Sequence, residues 1–92
     1  MQEASALTIP LSLNPLQVAI LEAVARYEYG QDRPVTVRDI YRRLRLNKEI
    51  TLKVVRELKD MGLLDVNQMT ANNRLKVMTI ATTQAGQEWI LN

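Results

Sequence analysis

Segment 37–64, VRDIYRRLRLNKEITLKVVRELKDMGLL, constrains the fold more than any other part of this chain. It holds two apolar patterns of helical period, set close together. In the first, Val37, Ile40, Tyr41 and Leu44 follow i, i+3, i+4, i+7 spacing without a gap. In the second, Ile50, Val54, Val55, Leu58 and Met61 share a face. Thr36 stands where the first helix needs an N-cap, with Asp39 at the capping-box position. Asn47 stands at the corresponding place for the second, which stops at Gly62. The pattern predicts two short amphipathic helices around a tight turn, the second spanning 47–61.

The flanking segments supply the rest of a small domain. Over 7–13, Leu7, Ile9, Leu11 and Leu13 alternate with Thr8, Pro10 and Ser12, which predicts an extended arm over 1–13 with one apolar face. Pro10 limits that arm to an edge position. Asn14-Pro15 is a strong helix start, and a helix to about residue 29 follows, with Gly30 expected as a left-handed cap. This helix shows two apolar stripes. Leu16, Ile20, Ala23, Val24 and Tyr27 form one, and Val18, Leu21, Ala25 and Tyr29 form the other. Gln17 and Glu28 mark one polar seam between them, Glu22 and Arg26 the second. Residues 34–36 suit a very short strand. Strands over 63–69 and 75–81 with a turn over 70–73 predict a hairpin, and Thr82 or Thr83 caps a last short helix carrying Ala85 and Trp89.

Composition removes most chemistries. Without cysteine there is no disulfide framework or thiolate, and without histidine the commonest general base and metal ligand are missing. No Gly-rich phosphate loop and no evident carboxylate pair remain, so enzyme activity, a metal and a cofactor are not expected. The apolar runs are too short to span a bilayer, and the N-terminus does not read as a signal peptide. A cytoplasmic location is the default expectation, with no membrane partner. Net charge is only +2, but it is unevenly spread. Window 33–59 holds nine basic residues against Asp39, Glu49 and Glu57, whereas the rest holds three against seven acids. A basic half joined to an acidic half points to a polyanion on one side.

The order helix, short strand, helix, helix, hairpin, helix resembles the winged helix-turn-helix domain. It is similar in particular to the multiple-antibiotic-resistance-type (MarR-like) and PadR-like prokaryotic repressors. Three segments over 14–91 carry the likeness: Leu44-Arg45-Leu46-Asn47 at the inter-helix turn, Leu58 with Met61-Gly62-Leu63-Leu64 at the exit of the second helix, and Thr83-Gln84-Ala85-Gly86-Gln87-Glu88-Trp89-Ile90 after the hairpin. Two features depart from it. Arg45 stands where the family usually has glycine, at a cost of about 1 kcal/mol for left-handed backbone, which leaves room for a different turn. Asn72-Asn73 replace glycine at the wing tip. The likeness implies an α+β, mostly helical domain over 14–92: a three-helix core, a wing of two or three strands and a short C-terminal helix.

The expected function is sequence-specific binding of double-stranded DNA, with helix 47–61 in the major groove. Lys53 and Arg56, flanked by Glu49 and Leu52 and led by Asn47 and Lys48, form its candidate reading face. Arg38, Arg42 and Arg43 are candidates for phosphate contact, with Arg45 beside them, and Arg74 and Lys76 for contact by the wing. The other reading of each group is a solvated charged surface. The second stripe of the first helix, Val18, Leu21, Ala25 and Tyr29, is the candidate interface of a homodimer; the alternative is that the arm over 7–13 and the last helix cover it within one chain. No small-molecule ligand is evident. A winged helix can instead serve as a protein-interaction module without DNA binding. In that case the apolar stripe, not the basic face, is the working surface.

Overall fold

The computed structural model describes residues 12–71 and 75–91, with backbone alone for 69–71 and 75–76. The elements are α1 (Pro15–Gly30), β1 (Val35–Thr36), α2 (Val37–Leu44), α3 (Lys48–Asp60), β2 (Leu64–Ala71), β3 (Leu75–Thr82) and α4 (Gln84–Leu91). The three strands form one antiparallel sheet in the order β1-β3-β2. Val35 faces Ile80 across β1 and β3, and Leu64 faces Thr82 across β2 and β3. This is the expected winged helix: a helical core, a three-stranded wing sheet and a short last helix. β2 runs two residues past its expected end, because the ladder continues to the pair Ala71 and Leu75, and β3 starts at Leu75 as expected and runs one residue further, to Thr82 opposite Leu64. Neither Thr70 nor Ala71 carries a breaker that would stop it. The arm expected over 1–13 falls, up to residue 11, outside the described residues. Residues 72–74 do as well.

Helix starts are built as their sequences dictate. Asn14 Oδ1 accepts from the Gln17 N–H at 2.8 Å, and Gln17 Oε1 accepts from the Asn14 N–H at 3.0 Å. Thr36 and Asp39 close the same reciprocal box at the head of α2. Asn47 Oδ1 accepts from the Glu49 and Ile50 N–H groups at the head of α3. Thr83 heads α4, its hydroxyl accepting from the Gly86 N–H at 3.0 Å and donating to the Gly62 carbonyl at 2.6 Å.

Two helix ends share one geometry. After α3, Gly62 takes φ 79°, and the Leu63 N–H reaches back to the Leu58 carbonyl at 2.9 Å. After α2, Arg45 takes φ 57°, ψ 46°, and the Leu46 N–H reaches the Tyr41 carbonyl at 2.8 Å. Both are left-handed reversals closed by a six-residue hydrogen bond. The room left for a different turn at Arg45 is therefore not used. The reversal lets Leu44 and Leu46 both pack against the core, which offsets the strain of a non-glycine residue. Gly30 behaves otherwise than expected. It continues α1, which ends at Gln31 in extended backbone (φ −127°, ψ 145°), so the helix is not closed by a left-handed reversal at Gly30.

The core is aliphatic: Ile20, Leu21 and Val24 of α1, Val35, Val37 and Ile40, Val54, Val55 and Leu58 of α3, then Leu63, Leu64 and Ile80. Trp89 and Ile90 of α4 pack on its edge. Here α1 corrects the two-stripe expectation. Ile20, Leu21 and Val24 lie side by side on one broad buried face that runs across the Gln17–Glu28 seam. The seam can turn inward because its polar ends are bonded. Gln17 Nε2 donates to Glu57 of α3 at 3.1 Å, and Glu28 accepts from the Thr82 N–H at 3.1 Å and from its hydroxyl at 2.5 Å. Leu21, at 0% exposure, is therefore core and no part of a dimer interface.

Glycines at two helical positions should respond in opposite directions to alanine. A Cβ at Gly86 would overlap the Leu63 carbonyl, whose oxygen also accepts from the Thr83 N–H. At Gly30 nothing lies within 4 Å of the added atom and the backbone is helical. Gly86→Ala should lower stability by about 1–3 kcal/mol, whereas Gly30→Ala should raise it by about 0.4–1 kcal/mol. Urea unfolding of both variants measures the pair; a stable Gly86→Ala protein would contradict this packing.

Candidate nucleic-acid interface

The exposed side of α3 is set by what its other side buries. Thr51, Val54, Val55 and Leu58 are buried, so Glu49, Lys53, Arg56 and Asp60 line the opposite side, all exposed. Lys48 and Lys59 are exposed at the two ends. Leu52 is half-buried at the margin and packs against the core, so it offers less free surface than the sequence implied. Asn47 is exposed, but its Oδ1 is taken by the cap, leaving only its amide NH₂ for another partner.

Ile50 was expected on the buried face and is 46% exposed instead. Thr51 takes its place at 0% exposure, its hydroxyl donating to the Asn47 carbonyl at 3.0 Å. A threonine can be buried at no polar cost when its hydroxyl bonds the preceding turn. The signal was in the spacing: 51, 54, 55 and 58 keep the helical period better than a set begun at 50.

On α2, Arg38, Arg42 and Arg43 are exposed, as is Arg45 in the turn. They do not form one cluster. Arg43 borders a groove of about 560 Å³ on the α1 side, together with Glu22, Arg26, Tyr27 and Gln31. Arg38 and Arg42 lie about 100–140° around the helix from it. Lys76 lies opposite Thr70 in the β2–β3 ladder, and its side chain is not described. Arg74 falls outside the described residues.

Part of the basic excess is spent internally. Arg33 donates two hydrogen bonds to the Asp39 carboxylate, at 3.0 and 3.1 Å. Burial pushes the Asp39 carboxyl up, but the Arg33 guanidinium and the Thr36 N–H and hydroxyl outweigh it and hold it below its ordinary value. The guanidinium of Arg33 is raised in turn, chiefly by its hydrogen bond to Asp39. By contrast Lys53, Arg56, Arg38 and Arg42 have no ion pair among the described residues. No group of three or more His, Cys, Asp or Glu suited to a metal occurs among the described residues, nor any helix long and apolar enough to cross a membrane.

The family model for the winged helix DNA-binding domain matches residues 13–86. The chain belongs to that family. Solved structures share the fold at low identity. A mutant of MepR from a multidrug-resistant S. aureus clinical isolate superposes with a TM-score of 0.73 at 15% identity, covering 86% of this chain and 53% of that one. Another S. aureus MepR mutant, bound to an oligodeoxyribonucleotide, gives 0.71 at 20%, covering 86% and 54%. The PcaV transcriptional regulator of Streptomyces coelicolor, in complex with its natural ligand, gives 0.70 at 22%, covering 86% and 51%. This winged helix thus spans about half the length of those proteins. None of the curated protein sequences compared with it is significantly similar.

The Asp39 pair should make α2 acid-sensitive. Its carboxyl titrates below the ordinary 3.8 when folded. Its contribution is therefore full above that value and is lost as pH falls through the lower folded one. Asp39→Asn should cost about 0.5–1 kcal/mol at pH 7 through the weakened cap. It should also flatten the stability loss between roughly pH 5 and 2. Urea midpoints taken across that range for both proteins test this; parallel pH curves would exclude the pair as a source of acid sensitivity.

Proposed function

We propose that this winged helix binds double-stranded DNA in a sequence-specific manner, with α3 in the major groove, as a small prokaryotic transcriptional regulator. The observation that carries the reading is the outer side of α3, where Lys53 and Arg56 stand exposed and unpaired among the described residues. Arg38 and Arg42 stand ready on the preceding helix for phosphate contact, and the family supports the same use. Arg74 and Lys76 of the hairpin would add wing contacts. Such a regulator works beside the DNA, in the cytoplasm, and needs no enzyme activity, cofactor or small-molecule ligand for binding.

If each protomer neutralises about 4–6 phosphates, log affinity should fall with log salt at a slope near −0.9 per phosphate. Absence of duplex binding at about 50 mM salt would favour the interaction-module reading instead. The two basic groups should also differ. Arg56→Ala should relax sequence preference at a cost of about 1–3 kcal/mol. Arg42→Ala should weaken all duplexes alike and make the salt slope shallower by about one phosphate. Sequence-blind losses from both would remove α3 as the reader.

We further propose a homodimer on the outer side of α1. Val18 and Ala25 are half-buried there, and Tyr29 is 92% exposed. Leu91 of α4, 83% exposed, borders the same groove as Ala25, Tyr29 and Ile90. Glu22 and Arg26 lie one turn apart on this side and are exposed. An antiparallel two-fold pairing of α1 helices would set Glu22 against the partner's Arg26 and the reverse. Two α3 helices about 34–36 Å apart would then meet a palindromic site. Light scattering should give a dimer mass, reduced to a folded monomer by Tyr29→Glu. Arg26→Glu should weaken the dimer and the added change Glu22→Arg should restore it. A monomer mass for the unmodified protein at tens of micromolar would exclude a stable dimer.

A further inference from the structure

We propose that Ile50 reads the C5-methyl group of a thymine, making it a specificity residue of the α3 face; this rests on the DNA-binding reading above. Ile50 is the third residue of α3, inside the turn that a recognition helix directs at base edges. It is a branched apolar side chain left 46% exposed on a helix that buries its neighbour Thr51 completely. The helix therefore faces its core with a threonine and solvent with an isoleucine, the reverse of what stability alone favours. In the major groove the thymine methyl is the apolar feature that distinguishes one base from the other three, and a side chain such as this one makes contact with it by shape and by excluding water.

A second observation orients the same turn. Glu49 precedes Ile50, is exposed and, though its place in the first turn suits the helix dipole, has no ion pair among the described residues. A carboxylate set against a phosphate would be repelled. Toward the groove floor it meets base edges instead, where the cytosine amino group is a donor for it. The turn holding Glu49 and Ile50 is thus suited to base edges, while Lys48 beside them and Arg38 and Arg42 on α2 suit the phosphates. The cap holds the turn in place, since Asn47 Oδ1 accepts from the N–H groups of both Glu49 and Ile50.

The test uses the full chain and duplexes selected by it from a random pool. The selected site should contain a thymine whose replacement by deoxyuridine, which removes only the methyl group, lowers affinity roughly 3- to 5-fold. Ile50→Ser should bind the thymine and deoxyuridine duplexes equally, while Ile50→Val keeps most of the difference. Because Ile50 is exposed, both variants should melt at the temperature of the parent protein, which circular dichroism checks. Thymine discrimination that survives in Ile50→Ser overturns the assignment, as does a selected site in which no deoxyuridine replacement matters. In both of those results salt-sensitive duplex binding persists, so the function proposed above would stand. Loss of all duplex binding by the parent protein would instead overturn both.

Discussion

The structure hangs on two polar side chains that α1 turns inward. Gln17 caps its own helix and ties the start of α1 to Glu57 on α3. Glu28 accepts both the N–H and the hydroxyl of Thr82, where β3 hands over to α4. Gln87 of α4 donates to the same hydroxyl at 3.2 Å. Between these two fastenings Ile20, Leu21 and Val24 seal against the rest of the core. One helix thereby fixes the position of α3 at one end and of the wing base at the other. Gln17 is buried, and left without a partner it would cost about 1–3 kcal/mol. Bonding both lets the buried face of α1 run across the polar seam.

This is also where the sequence stops being legible. Element order, the β2–β3 hairpin and the caps at Asn14, Thr36 and Asn47 can be read, because each depends on residues close in sequence, whereas the third strand of the wing rests on Val35 meeting Ile80 and stays open between two strands and three. The buried face of α1 cannot be read in this way, since the partners of Gln17 and Glu28 lie 40 and 54 residues away. Read alone, a polar seam divides two stripes; read with its partners, it joins them. For that reason Leu21 reads from the sequence as an interface residue, although it is core. Of the expected interface only Tyr29 is fully exposed, with Val18 and Ala25 partly so.

The helix ends show the opposite lesson. Gly62 and Arg45 close α3 and α2 with the same reversal, though only one has the residue that suits it. Residue type predicted the first and argued against the second. What decides Arg45 is the placement of Leu44 and Leu46 against the core, a tertiary gain that outweighs about 1 kcal/mol of local strain. Gly30 is the converse, a residue suited to a reversal in a place where the chain does not reverse. A glycine permits left-handed backbone, and only the direction of the next element requires it.

The charges of α3 can be sorted by the same reasoning. Glu49 in the first turn and Lys59 in the last complement the helix dipole, and Glu57 accepts the bond from Gln17. Each has a use in the folded chain. Lys53 and Arg56 sit in the middle of the helix, where the dipole has little to offer. Spacing allows Glu49 to pair with Lys53, and Arg56 with Asp60, yet neither pair closes among the described residues. Such exposed pairs would bring only about 0.3–0.5 kcal/mol, too little to hold a cation that a phosphate or a guanine edge can bind. Mid-helix cations without an ion pair among the described residues and an exposed isoleucine on the same helix are poorly explained by stability. They are well explained by a surface whose partner is not part of this chain.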